Sequence, residues 1–85
     1  MFHKATVTRK FFHARECAKL VKIAQHTNCE IKIIVDGKYV GTTKSILSLL
    51  KLGLRPNTVI FVFVKGKNER EAANKVSDLL KESDI

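Results

Sequence analysis

The apolar positions at the start of the chain recur first with a period of two and then with the period of a helix. Residues 2–8 alternate, with Ala5 and Val7 apolar and with polar residues at positions 4, 6 and 8, which predicts a half-buried strand facing inward through Ala5 and Val7. From residue 14 to about residue 26 the apolar positions follow helical spacing. They are Cys17, Leu20, Val21 and Ala24. His13 then occupies the N-cap position of this helix, and Glu16 stands where a capping-box glutamate belongs.

The rest of the chain alternates strands and helices in the same way. Residues 30–35 and 38–42 flank Asp36-Gly37, a dipeptide typical of a two-residue hairpin turn. Ser45 precedes a short amphipathic segment that ends at the Gly53 turn, which predicts a helix with a serine N-cap. Residues 58–64 form the most apolar stretch and predict a fourth strand. Asn68 and Glu71 then predict the capped start of a final helix.

The predicted order is βαββαβα, which favours an α+β two-layer open-faced sandwich: a four-stranded antiparallel sheet with three helices on one face. The inward positions are predicted to be Ala5, Val7, Ile31, Ile33, Ile60, Val62 and Val64. Alternation then sends Ile34, Phe61 and Phe63 to the open face, where they would invite self-association or a docking partner. A shifted register, or a covering side chain such as Tyr39, is the alternative.

Length and charge narrow the class of protein. The 85 residues predict a single domain, 1–85. The longest apolar run, residues 59–64, is too short to cross a bilayer and no signal-peptide segment is present, so we expect a cytoplasmic protein without membrane insertion. The net charge is +8, and basic residues cluster around the first helix. This favours a solvated basic face or an acidic protein partner; nucleic acid is less favoured, since no aromatic RNA-binding pattern or GxxG loop is present.

The two cysteines predict neither a disulfide nor a metal site. Cys17 falls on the first helix and Cys29 near a strand, and in a cytoplasmic setting two free thiols are expected. His13 and Cys17 are four residues apart, but no further ligands are spaced nearby, so no zinc site and no cofactor is predicted. Cys17 is interpreted as a small core residue.

His13 is the residue whose chemistry stands out. A helix start presents unpaired backbone N–H groups and the positive end of the helix dipole, which suits a bound anion. A histidine there can accept a phosphoryl group, with Arg15 as a cation beside it. Taken alone, a histidine such as His13 is more often an ordinary N-cap or exposed residue than a phosphoryl acceptor, and Arg15 is an ordinary surface cation.

Two segments carry a resemblance to a known family. His13-Ala14-Arg15 and Lys44-Ser45-Ile46-Leu47, the latter followed by Leu50-Lys51-Leu52-Gly53-Leu54, resemble the phosphorylated-histidine segment and the regulatory-serine segment of the HPr family. HPr proteins are the histidine-containing phosphocarriers of the phosphoenolpyruvate-dependent sugar phosphotransferase system. The resemblance covers the whole chain.

The resemblance implies a phosphoryl relay. Enzyme I would phosphorylate His13, Arg15 would clamp the phosphate, and enzyme IIA components would take the group onward. An HPr kinase/phosphorylase would act on Ser45. Leu47 and Leu50, with Phe12, would form an apolar contact surface for these partners, although inward packing is the alternative for each of them.

The sequence departs from the family at two positions beside the histidine. The family usually has Gly two residues before the histidine and Pro directly after the arginine, whereas this chain has Phe11 and Glu16. Glu16 is expected to stabilise the empty helix start and to repel a dianionic phosphate there. The alternative function is therefore an HPr-like regulatory or binding module controlled at Ser45, with little phosphotransfer.

Overall fold

The computed structural model describes residues 2–8, 13–55 and 57–81. Four strands and three helices follow one another in the predicted order βαββαβα. The strands are β1 (Phe2–Val7), β2 (Cys29–Val35), β3 (Tyr39–Thr42) and β4 (Val59–Gly66). The helices are α1 (Ala14–Thr27), α2 (Ile46–Leu50) and α3 (Glu69–Lys81).

The four strands form one antiparallel sheet in the order β1-β4-β2-β3. The hairpin between β2 and β3 turns at Asp36 and Gly37, which both have positive φ angles, 56° and 65°, as the sequence pattern predicts. All three helices pack on one side of the sheet. The α+β two-layer open-faced sandwich predicted from the periodicity is therefore confirmed.

The core lies between the helices and the central strands β2 and β4. The predicted inward residues of these two strands are all buried: Ile31, Ile33, Ile60, Val62 and Val64. Opposite them the helices contribute the buried side chains Cys17, Leu20, Leu49, Ala72, Val76, Leu79 and Leu80. The two cysteines are free and buried, as predicted.

The prediction for β1 was wrong in its orientation. The pairing with β4 places Thr6 opposite the buried Ile60 and Val7 opposite Val59, and it places Ala5 opposite Phe61. Val7 therefore belongs to the open face, where it is exposed. Thr8 is fully buried instead, because its hydroxyl donates a hydrogen bond to the carbonyl oxygen of Arg55 at 2.7 Å and so needs no water.

The open face of the sheet carries the predicted apolar side chains. Phe61 is 46% exposed, and Ile34 and Phe63 are half-buried. Tyr39 pairs with the buried Val35, so it lies at the helix side of the sheet and does not cover the open face. The alternative prediction, that the Tyr39 side chain covers the apolar residues of the open face, was therefore wrong.

Gly41 of β3 permits the close packing of α2 on the sheet. A Cβ atom at this position would lie 2.6 Å from Leu52 Cδ1 and 2.9 Å from Leu49 Cδ2, which is far inside van der Waals contact. The absent side chain thus lets Leu49 reach the core and fixes α2, with Ser45 at its start, against β3.

Candidate functional site

His13 is placed by the helix cap that the sequence predicts. It is the exposed N-cap residue of α1, in an extended conformation with φ −98° and ψ −172°. Its backbone N–H donates a hydrogen bond to Glu16 Oε1 at 3.0 Å, and its carbonyl accepts from the Cys17 N–H at 3.0 Å. The capping-box role predicted for Glu16 is confirmed, and it sets the direction in which the chain enters the helix.

Arg15 and Glu16 form an ion pair at the same helix end. Arg15 Nε lies 3.6 Å from Glu16 Oε2; the arginine side chain is 78% exposed, and the glutamate side chain only 5%. Sequence reasoning identified both residues but not this pair, because neighbouring helical residues do not normally face one another. Here the cap turns the Glu16 side chain back toward the helix start, where the guanidinium of Arg15 meets its second oxygen.

Burial and the charge of Glu16 also act on Cys17, the next residue of the helix. Both raise the pKa of the Cys17 thiol above its ordinary value of 9.0, with burial the larger cause. The thiol is fully buried and is held in its protonated form. Cys17 therefore packs as a core residue beneath His13, as the sequence interpretation has it, and takes no part in the site's chemistry.

Ser45 is the N-cap of α2, as predicted. It is exposed, and its hydroxyl oxygen accepts a hydrogen bond from the Ser48 N–H at 3.4 Å. The Ser48 hydroxyl donates to the Ser45 carbonyl at 2.6 Å and accepts from the Thr42 N–H at 2.9 Å. These bonds tie the start of α2 to the end of β3. The neighbouring Lys44 Nζ lies 3.8 Å from Glu30 Oε1.

The short helix α2 presents an apolar surface to solvent. Leu47 is 65% exposed and Leu50 is also exposed, whereas Leu49 is the residue that packs into the core. Ile46, at the start of the helix, is exposed as well, and it was not among the predicted contact residues. Leu47 therefore does not pack inward, whereas Leu50, at 37% exposed, is packed in part against the molecule. Phe12, which was predicted to join this surface, lies outside the described residues.

The loop that follows α2 is joined to the end of β1, just before the His13 segment. The Thr8 N–H donates to the Thr58 carbonyl at 3.0 Å, and the Asn57 N–H donates to the Thr8 carbonyl at 2.7 Å. With the Thr8 hydroxyl bond to Arg55, this clamps the two chain segments together. Helices α1 and α2 also contact one another. Sequence reasoning missed Thr8, whose only signal was its place at the end of a strand.

Comparison with known proteins identifies the family of this chain. A family model described as the PTS HPr component phosphorylation site matches residues 5–82. The chain belongs to the HPr family. The resemblance carried by the His13 and Ser45 segments is thereby confirmed, and the phosphotransferase system is the setting in which the family works.

Individual HPr proteins agree in sequence and in fold. The chain is 29% identical over 73 residues to phosphocarrier protein HPr of Mycoplasma pneumoniae, covering 86% of this chain and 83% of that protein. It is 34% identical over 70 residues to the HPr of Buchnera aphidicola subsp. Schizaphis graminum, covering 82% and 81%. The crystal structure of HPr-C-His from Thermoanaerobacter tengcongensis matches with a TM-score of 0.80 and 26% identity, covering 95% and 92%.

Within residues 2–8, 13–55 and 57–81, no helix has the length and hydropathy that a membrane crossing requires. Within the same ranges, no three side chains of His, Cys, Asp or Glu come together in a group that could hold a metal ion.

Proposed function

We propose that this protein is a cytoplasmic phosphocarrier that accepts a phosphoryl group on His13 from enzyme I and passes it to enzyme IIA components. The observation that carries the proposal is the exposed imidazole at the start of a 14-residue helix, two residues before an exposed arginine. A carrier needs an accessible acceptor, because two different partners must reach the same atom in turn. Membership of the HPr family supports the same assignment.

The chemistry follows from the side chain and its position. A ring nitrogen of neutral His13 attacks the phosphorus atom; a P–N bond forms as the bond to the donor's nitrogen breaks, and the electron pair stays with the donor. The backbone N–H groups of the first turn, the helix dipole and Arg15 stabilise the charge on the phosphoryl oxygens. An enzyme IIA nucleophile reverses the step by taking the phosphoryl group and leaving the electron pair on His13.

Partner docking is assigned to the surface around α2. Leu47 and Leu50 offer exposed apolar area, and Lys51 and Arg55, which follow the helix and are exposed, offer positive charge. Apolar contacts surrounded by complementary charge give both affinity and orientation. We therefore propose that enzyme I and enzyme IIA components dock here through acidic surfaces with an apolar centre, and that Phe12 contributes to the same contact.

The test is phosphorylation by enzyme I of the same organism with phosphoenolpyruvate, followed by intact mass spectrometry under neutral conditions. The wild-type protein should gain one acid-labile phosphoryl group and His13→Ala none. His26→Ala is the matched control, since His26 is an exposed histidine in the last turn of the same helix and its loss should leave labelling unchanged. Unlabelled wild type, or equal labelling of His13→Ala, would refute the proposal.

A second function, regulation through Ser45, is favoured by its exposed hydroxyl at a helix start. A phosphoryl group there would be stabilised by the helix end, and it would place negative charge beside the docking surface, where it repels acidic partners. HPr kinase/phosphorylase with ATP should label the wild type and Ser48→Ala but not Ser45→Ala. Labelling of Ser45→Ala, or none of the wild type, would exclude Ser45 as the regulatory residue.

A further inference from the structure

The anion site at the start of α1 already holds a negative charge that belongs to the protein. One oxygen of Glu16 accepts the His13 N–H at 3.0 Å, and the other lies 3.6 Å from Arg15 Nε. The carboxylate therefore contacts the backbone of the proposed acceptor and the side chain of the proposed clamp. With a side chain only 5% exposed, Glu16 is far from an ordinary surface glutamate.

We infer that Glu16 competes with the phosphoryl group for Arg15: it holds Arg15 in the unphosphorylated state and destabilises phosphate on His13, which promotes onward transfer. This inference rests on the proposed function, and it assigns a regulatory role to a residue of the same site. Glu16 is a positioning residue, because it acts through Arg15 and through its charge.

The argument begins with Arg15. Its guanidinium neutralises the Glu16 carboxylate in the unphosphorylated protein, and a phosphoryl group on His13 would need the same cation. If Arg15 moves to the phosphate, its attraction to the Glu16 carboxylate is given up at a position where the glutamate side chain is only 5% exposed. Water and salt screen an ion pair with a nearly buried member less than a fully exposed one, so phosphorylation of His13 is opposed by the loss of the Arg15–Glu16 attraction.

Direct repulsion acts in the same direction. The backbone bond from His13 holds the Glu16 carboxylate at the helix start, where the phosphoryl oxygens would also be drawn. In general, a carboxylate and a phosphoryl dianion at a separation of about 6 Å would repel one another enough to shift an equilibrium about tenfold, even at the dielectric constant of water. The phosphorylated protein should therefore be a stronger phosphoryl donor than one with a neutral residue at position 16.

Glu16→Gln is the variant that isolates the charge. The amide oxygen of glutamine can still accept the His13 N–H, so the cap is kept while the negative charge is removed. Glu71→Gln is the matched control, because Glu71 is a helical glutamate that also pairs with a cation, Lys75 at 3.5 Å, but lies on α3. Thermal unfolding of both variants reports whether either change has altered the fold.

The first measurement does not use enzyme I. Phosphoramidate phosphorylates histidine chemically, with ammonia as the leaving group, and ³¹P NMR identifies the product on His13. Hydrolysis then breaks the P–N bond as water supplies oxygen to phosphorus, and inorganic phosphate is released. Phosphoryl transfer passes through a loose transition state, in which the phosphoryl group moves away from His13 and its repulsion by the Glu16 carboxylate falls. The phosphohistidine of wild type and of Glu71→Gln should therefore be hydrolysed severalfold faster than that of Glu16→Gln. Equal or slower hydrolysis of the wild type would overturn the inference.

The second measurement is the phosphoryl exchange equilibrium with enzyme I. Glu16→Gln should hold about tenfold more phosphate relative to enzyme I than the wild type does; equal partition would overturn the inference while leaving the carrier function intact. If enzyme I phosphorylates neither protein but the hydrolysis rates differ as expected, the proposed function fails and the role of Glu16 stands. The two measurements thus separate the two proposals.

Discussion

Replacing Leu47 by alanine should weaken partner docking without weakening the fold. The residue is 65% exposed, which for leucine leaves about 115 Å² of surface, so full burial by a partner is worth at most about 3 kcal/mol. Alanine keeps part of that area, and interfaces return less than the area predicts. We expect a loss of about 1–2 kcal/mol, or about 5- to 30-fold in affinity.

The assay is the KM of enzyme I for the carrier, measured from the initial rate of phosphorylation at several carrier concentrations. Leu47→Ala should raise KM with little change in kcat and with the midpoint of thermal unfolding unchanged. Val40→Ala is the control, since Val40 is exposed on the open face of β3, opposite the side on which α2 packs. An unchanged KM for Leu47→Ala, or an equal rise for Val40→Ala, would refute the docking surface.

Three further predictions concern stability and the site. Gly41→Ala should lower the free energy of unfolding by about 1–3 kcal/mol in urea titration, because the new Cβ overlaps Leu52 and Leu49; an unchanged midpoint would contradict the packing. Because the pKa of the Cys17 thiol is raised in the folded protein, the thiol of the unfolded chain loses its proton at a lower pH than that of the folded chain. The stability that the protonated thiol contributes is therefore present below about pH 9 and is lost as the pH rises above that value. Cys17→Ala should therefore lose less stability than wild type between pH 8 and 10 in urea titrations, and an equal loss would argue against it. Glu16→Pro should accept phosphate from enzyme I faster than the wild type in stopped-flow assays, whereas slower transfer would mean that the glutamate assists acceptance.

The elements of the fold could be predicted because each carries its own local signal. Asp36-Gly37 supports two positive φ angles in succession, and Ser45 and Glu16 provide hydrogen bonds at helix starts that no distant residue has to complete. Strand β4 contains the longest apolar run of the chain, which identifies it as a central strand of the sheet. Local chemistry and hydrophobic period agree at these positions, so one sequence suffices to locate them.

The orientation of β1 could not be predicted in this way. The strand lies at the sheet edge and pairs only with β4, and its inward position opposite Ile60 is filled by Thr6 rather than by Val7. Thr8 is buried because a hydrogen bond to Arg55, 47 residues further along the chain, satisfies its hydroxyl. Polarity alone gives the wrong face when the partner that satisfies a polar group is distant in sequence.

At the candidate site, the residues were predictable and their interactions were not. His13 and Glu16 follow from the capping pattern, but the burial of Glu16 depends on how α1 meets the rest of the molecule. The Arg15–Glu16 pair joins neighbours that ideal helix geometry would point apart. Only the three-dimensional placement of the cap brings these two charges together beside the histidine.

The relay itself is the most direct test of the central claim. Enzyme I, phosphoenolpyruvate labelled with ³²P and an enzyme IIA component are combined with wild-type protein, His13→Ala or no carrier, and label on the enzyme IIA component is counted after separation. We predict label on that component only when the wild-type protein is present, with transient label on His13 that is chased by unlabelled phosphoenolpyruvate. Equal labelling of the enzyme IIA component with His13→Ala would contradict the phosphocarrier account. So would label that stays on the wild-type protein and is not transferred to the enzyme IIA component.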